Sequence, residues 1–453
     1  MVLALSLFLT AIQVLLALVQ PVMLVNLSLL TGILPLTFGR DEMLTTAFGR
    51  MDFSALRLLG LWTAAGLVIL LDLDRAWNYL NRWRWHLLFL VFCGIALSWS
   101  PSLAFGTRML AKLSSPFLFL IFVLMAISSE RQLKRMEALL VIGGVTTMAI
   151  AIAAKLGGLV EGLPGLTIPF TTPALFSAYL VSVAMLVLSR IRYDGGMMNF
   201  VLLLCLVGGI LGGFTRITIA ALFVASSLVL FVGGRGIARW LLPLMGLGGL
   251  PALFLLNDTF KNRMFFGAGQ IDAASMLSDP DQMVGHLYGS GRFSAWSQIM
   301  TLFFDPSPLV GSGTGATQNF YYSMAKGGLG VVHSEYVRLL AEVGLFGLFL
   351  FAVAAFSYIF RLVDTCRNAP EPMARKYALA ALGAFVGYLI FMATDNAFDY
   401  VNGLGIYVFG LIAMSEKARE LGSVPEPVLA SPAPEVPQRR RRYPIIEATK
   451  CRT

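Results

Sequence analysis

The sequence predicts an all-α polytopic integral membrane protein of about 12 transmembrane helices, with one large outer loop carrying short helices. Three observations predict it. First, 57% of the 453 residues are hydrophobic and 13% are charged, with a mean hydropathy of +0.76, against about 25% charged in soluble globular proteins. Second, apolar runs near the ~20 residues needed to cross a bilayer recur along most of the chain. Third, arginine and lysine are gathered into alternate short loops, as the positive-inside rule requires.

The runs fall at 2–19, 21–38, 55–72, 86–99, 109–128, 138–158, 174–189, 197–213, 217–232, 240–256, 336–360, 377–394 and 402–414. The uncharged stretch 1–38 lacks the basic n-region of a cleaved signal peptide and reads as retained helix, either two spans or one span and a re-entrant piece. The loops bearing Arg75, Arg82 and Arg84, then Arg131, Lys134 and Arg135, then Arg190 and Arg192, then Arg235 and Arg239, then Arg361, Arg367, Arg375 and Lys376 are assigned to the cytoplasmic side. That alternation divides the chain into N-terminal helices (1–256), an outer loop (257–335), C-terminal helices (336–414) and a Pro-rich basic tail (415–453) read as disordered and cytoplasmic. In the tail, Arg439 to Arg442 forms a basic run suited either to solvent or to anionic membrane lipid. The net charge of +9 lies in these short loops and the tail, which argues against nucleic acid as the partner. The four cysteines are scattered through unlike contexts and imply no disulfide framework.

Long connections are usually functional, and loop 257–335 holds more acids than bases, so its arginines are not there to set topology. An outward-facing site cannot draw on cytoplasmic nucleotides, and a lipid-linked energised substrate fits it. Arg216 is the sole ionisable residue between Asn199 and Arg235 and sits at the predicted outer boundary. It reads either as a snorkelling side chain or as a permanent cation suited to a phosphate or diphosphate. Arg292 precedes SAWSQIMTLFF, whose Trp296, Ile299, Met300 and Phe303 share one helical face and predict a short interfacial helix. A cation at a helix N-terminus opposes the dipole. GSGTG at 311–315 lacks the GK[ST] of a phosphate loop and reads as a tight turn.

The stretch GVVHSEYVRLLAEVGLFG, 330–347, places four ionisable residues at the mouth of a span. Glu335, Arg338 and Glu342 are spaced to share one helical face, predicting structural ion pairs. His333 lies nearly opposite that stripe, and its imidazole suits proton transfer near neutral pH. Asp395 and Asp399 in TDNAFDY are one turn apart in a short outer loop, where they orient His333 or an arginine, or cap helix ends. Asp41, Glu42 and Asp52 lack a histidine companion and a diagnostic metal spacing.

In chain order, TR-x-T at 215–218, GR-x-x-x-W at 291–296, P-L-x-G-x-G-x-G at 308–315 and HSEYVRLLAEVGLFGL at 333–348 resemble the O-antigen ligase and polymerase superfamily of bacterial envelope glycosyltransferases. The resemblance is strongest over about 200–350 and extends to the topology and the late outer loop. It implies a multi-pass protein of the bacterial inner membrane with its site facing the periplasm. It further implies transfer of a glycan from an undecaprenyl-diphosphate carrier to a glycan or lipid-core hydroxyl, with inversion and with no cofactor or metal. A chain-length regulator is a further partner of such proteins. By matching motifs, Arg216 and Arg292 would clamp the diphosphate and His333 would be general base; Arg263 in KNRM is a further, weaker candidate for the clamp, and Asp395 is a candidate substrate-binding residue. Many members carry Asn after the histidine where this chain has Ser334, which leaves ligase and polymerase branches open. The reading from a different class is a flippase or transporter of lipid-linked glycan, although no internal repeat of the kind transporters show is visible.

Overall fold

The computed structural model describes residues 2–31, 44–46, 49–51, 53–160, 165–169, 171–234, 239–240, 292–324 and 332–422. Its helices are α1 (Val2–Val19), α2 (Pro21–Thr31), α3 (Phe53–Leu71), α4 (Leu73–Arg82), α5 (Arg84–Ile95), α6 (Leu103–Ala126), α7 (Glu130–Leu156), α8 (Pro173–Tyr193), α9 (Met197–Gly212), α10 (Arg216–Gly233), α11 (Arg292–Ile299), α12 (Ala316–Met324), α13 (Glu335–Asn368), α14 (Pro372–Phe391) and α15 (Ile406–Gly422). Seven segments among the described residues are long and apolar enough to cross a membrane: α6, α7, α8, α10, α13, α14 and Ala397–Gly422. Shorter apolar helices occur at Pro21–Leu30, Leu58–Leu71, Arg84–Trp99 and Met197–Gly212. The protein is therefore a helical, membrane-embedded bundle. The run at 240–256 falls outside the described residues except at Trp240.

Local sequence sets the helix ends. Asp72 caps α4 through the Arg75 N–H, Ser102 caps α6, Thr172 caps α8 ahead of Pro173, and Ser129 with Gln132 forms a capping box on α7. Ser334 caps α13 by accepting from the Val337 N–H at 3.4 Å. Asn and Ser are about equally good N-caps, so the departure at 334 keeps this role. In the bundle centre, α14 packs against α8, α10, α13 and α15. Its buried Ala378, Ala380, Ala381 and Ala384 allow the close backbone approach that helices in lipid rely on.

Basic loops and their acids gather at one end. Lys376 Nζ meets Glu137 and Asp194 at 3.0 and 2.9 Å, Arg82 meets Glu416 and Glu420 at 3.1 and 2.7 Å, and Arg361 meets Glu416 at 2.5 Å. These pairs tie α4, α7, α8, α13, α14 and α15 together. They also correct the expected start of the tail at 415: α15 runs to Gly422 and buries Ser415, Glu416 and Lys417, because Glu416 neutralises two arginines of neighbouring helices. Residues 423–453, Arg439 to Arg442 among them, lie outside the described residues. A two-residue-linked ribbon, Leu44–Thr46 against Gly49–Met51, is the one departure from all-helical structure among the described residues. His86, between Trp83 and Phe89 at the start of α5, is buried, stacked on Phe117 at 4.6 Å with Nδ1 3.1 Å from the Tyr358 hydroxyl.

The long helix α13 is broken at Gly344, where φ is +66° and ψ −168°. The segment 345–368 alone spans the ~30 Å hydrocarbon core. The break frees backbone groups on both sides, and one loop takes four of them. Ser312 and Gly313 N–H donate to the Ala341 and Glu342 carbonyls, both at 2.9 Å, while Leu345 and Phe346 N–H donate to the Pro308 and Leu309 carbonyls at 2.9 and 3.0 Å. Irregular backbone at membrane depth is tolerated only when satisfied this way. A Cβ on Gly344 would lie 2.5 Å from the Leu309 carbonyl, and its backbone conformation is essentially confined to glycine at ~1–3 kcal/mol for other residues. Gly344→Ala is therefore expected to lower stability by about 2 kcal/mol or more, read as reduced folded yield and a lower melting temperature in detergent. A variant melting like the parent would show that the break is not under this constraint.

Candidate active site

Among the described residues, two non-glycine residues hold positive φ: His333 at +56° and Phe214 at +48°. Such conformations persist where the surroundings over-determine them, and they cluster at functional sites. One is a motif residue and the other lies two positions before Arg216.

His333 is held from three sides. Its own N–H donates to Asn396 Oδ1 at 2.9 Å, and Asn396 Nδ2 lies 3.3 Å from ring Nδ1. The indole N–H of Trp296 donates to the Val332 carbonyl at 2.7 Å, fixing the residue before the histidine. Behind this, Ile299 packs against Val332 and Ala341 with Trp296, Phe303 and Val337 around them. The predicted amphipathic helix exists as α11, continued by a π turn over Met300–Phe304, and its apolar face rests on the N-terminal part of α13. Arg292 opens α11 and donates through NH1 to the Thr394 carbonyl at 2.7 Å. Arg292 and His333 therefore dock on the same segment, 394–396.

Beneath His333 is a buried charge network. Arg338, 4% exposed, lies 3.1 Å from Glu335 Oε2 and 3.0 Å from Asp399 Oδ2, and its NH2 also reaches Asn396 Oδ1 at 3.4 Å. Glu335 accepts from the Phe398 N–H at 2.8 Å, and Lys112 Nζ meets Asp399 Oδ1 at 2.6 Å. The expected stripe thus divides. Arg338 pairs with Glu335, but Glu342 turns to the glycine loop, accepting from the Gly315 N–H at 2.8 Å and from the Thr317 N–H and hydroxyl at 3.3 and 2.5 Å. Within GSGTG the Gly315 N–H thus serves the chain's own Glu342 carboxyl, a role that needs no phosphate. Of the two aspartates, Asp399 orients an arginine. Asp395 accepts from the Asn396 N–H at 2.8 Å and the Tyr400 hydroxyl at 3.4 Å.

Arg216 begins α10 at the same end of the bundle. Thr218, two residues on, lines a small cavity with Gly387, Tyr388, Phe391 and Leu404, just before the segment bearing Asp395. Arg263 lies outside the described residues, as do Asp41, Glu42 and Asp52. Two residues of the network were not singled out from sequence. Lys112 announces itself as an ionisable residue inside the apolar helix α6. Asn396 stood between two aspartates that drew the attention, and no local pattern distinguishes it.

Burial lowers the His333 imidazole to about 4, helped by the charges of Arg292 and Arg338 and opposed by Asp399. Burial also raises the Asp395 carboxyl above its ordinary range, against the Asn396 N–H and Arg292. The site therefore presents a neutral imidazole at neutral pH beside fixed cations. No family model matches this chain, and no curated protein matches it.

Two outcomes follow from this geometry. His333 should remain uncharged at pH 5.5, where a free imidazole of pKa about 6.5 is mostly protonated, and its ring should titrate near 4 by NMR. Because the folded value is depressed, the stability this group contributes is complete above about pH 6.5 and is lost as pH falls from there towards 4. Titration near 6.5 would contradict the burial. Arg338→Ala leaves Glu335 and Asp399 without their shared cation, a loss of about 3–5 kcal/mol for a buried pair. It should lower folded yield more than specific activity, and a well-folded, inactive variant would contradict the structural role.

Proposed function

We propose that this protein is a membrane glycosyltransferase that moves a glycan from an undecaprenyl-diphosphate carrier to a hydroxyl acceptor in surface polysaccharide assembly, as an O-antigen or exopolysaccharide ligase or polymerase. The observation that carries the reading is the interlocking of motifs that the sequence keeps apart. Trp296, one turn after Arg292, fixes Val332 beside His333, and Arg292 and His333 share the platform 394–396. On this reading Arg216 and Arg292 neutralise the diphosphate as its charge develops, and His333 stands at the reacting centre beside them. Displacement in a single step inverts the anomeric carbon. The bundle of about 12 spans sits in the bacterial inner membrane. Its basic end lies in the cytoplasm, and the His333 end opens to the periplasm, where lipid-linked donor, glycan or lipid-core acceptor and a chain-length regulator meet.

A second reading, transport of lipid-linked glycan, draws on one observation: the break in α13 at Gly344, since discontinuous helices are frequent at transporter sites. Here the freed backbone groups are taken by residues 308–313 rather than left to line a cavity.

The test is complementation with surface-glycan profiling, followed by transfer from purified lipid-diphosphate-linked glycan in proteoliposomes. Arg216→Ala, Arg292→Ala and His333→Ala should each reduce product by about a hundredfold or more while the protein still inserts. Normal product from all three variants would refute the assignment. Translocation of donor with no transferred product would favour the transporter.

A further inference from the structure

We propose that His333 works as a hydrogen-bond donor through Nε2–H, and that Asn396 is the positioning residue that fixes this tautomer. The inference about the ring rests on hydrogen bonding alone. The inference about its role in transfer rests on the glycosyltransferase reading.

The argument begins at the amide of Asn396, which is 3% exposed. Its Oδ1 receives two donors that cannot act as acceptors: the His333 N–H at 2.9 Å and the Arg338 guanidinium at 3.4 Å. The amide orientation is thereby set, because turning it over would aim NH2 at two other donors. With Oδ1 so placed, Nδ2–H2 faces His333 Nδ1 at 3.3 Å. An amide nitrogen only donates, so Nδ1 must offer its lone pair. In the neutral imidazole the proton then sits on Nε2. An imidazole in this tautomer has no lone pair at Nε2 to take a proton from an incoming hydroxyl.

Proton affinities point the same way. The imidazole is depressed to about 4 by burial and by Arg292 and Arg338, with Asp399 opposing. That depression keeps the ring neutral at neutral pH, with a single ring proton to place. Transfer then balances without a histidine base. The C1–O bond to the diphosphate breaks with its electron pair on oxygen, stabilised by Arg216, Arg292 and the Nε2–H of His333. The acceptor oxygen's lone pair forms the new C1–O bond on the face opposite the diphosphate, its proton is released to solvent water, and the departed diphosphate takes up a proton from solvent.

The test uses the full-length chain in nanodiscs, with its histidines labelled at the ring nitrogens. The chain has three histidines, so the His333 signals are assigned by comparison with His333→Ala. At neutral pH the expected result is a directly bonded proton on Nε2 and none on Nδ1. A proton on Nδ1 in the wild-type protein overturns the proposal, and this readout needs no variant at 396. Asn396→Asp keeps both accepted hydrogen bonds but adds an acceptor facing Nδ1, so the proton should move to Nδ1 and leave Nε2 a base. If His333 donates, this variant loses about a hundredfold in kcat for transfer from the lipid-diphosphate-linked donor. If it transfers as fast as wild type or faster, the donor role is wrong. A wild-type protein that shows the Nε2–H tautomer but transfers no glycan would remove the glycosyltransferase reading and leave the tautomer standing.

Discussion

The structure around His333 depends on the break in α13 at Gly344. A helix running unbroken from 335 to 368 would be far longer than a bilayer requires. Breaking it lets the N-terminal segment, with Glu335 and Arg338, take its own direction while the segment after Gly344 is long enough to span. Such a break is affordable only if the backbone groups it exposes find partners, and four of them do so in one loop. The loop 308–313 supplies them, and the Glu342 carboxylate fastens the same loop from inside through Gly315 and Thr317. The glycines of P-L-x-G-x-G-x-G and the E-V-G of the next motif thus solve one problem together.

From that fixed N-terminal segment the site is assembled in layers. Arg338 is the shared cation of Glu335 and Asp399, and it also holds Asn396, which in turn grips both the backbone and the ring of His333. Trp296 and the apolar face of α11 close the opposite side and carry Arg292 to Thr394. Histidine tolerates the left-handed region better than most residues, and the restraints from several elements hold His333 there.

Much of the fold was legible because bilayer length and charge alternation are properties of composition, readable run by run. The amphipathic α11 and the Arg338–Glu335 pair followed from short-range spacing. What escaped depends on contacts between distant segments. Glu342 shares the predicted stripe, yet its partner is a loop about 27 residues earlier, and nothing in i, i+4 geometry weighs that competitor. The helical extension to Gly422 was hidden because Glu416 and Lys417 look like tail residues until Arg82 and Arg361 meet them. Asn396 carries no signal of its own type, and its importance lies wholly in what faces it.

The central claim is that this end of the bundle is built to hold a lipid diphosphate. Binding of undecaprenyl diphosphate to the purified protein, followed by native mass spectrometry or by fluorescence titration in nanodiscs, tests it most directly. Wild type should bind, Arg216→Ala and Arg292→Ala should each bind about tenfold more weakly or worse, and Gly344→Leu, which disrupts the loop that orders the site, should not bind. Equal affinity in wild type and both arginine variants would contradict the account.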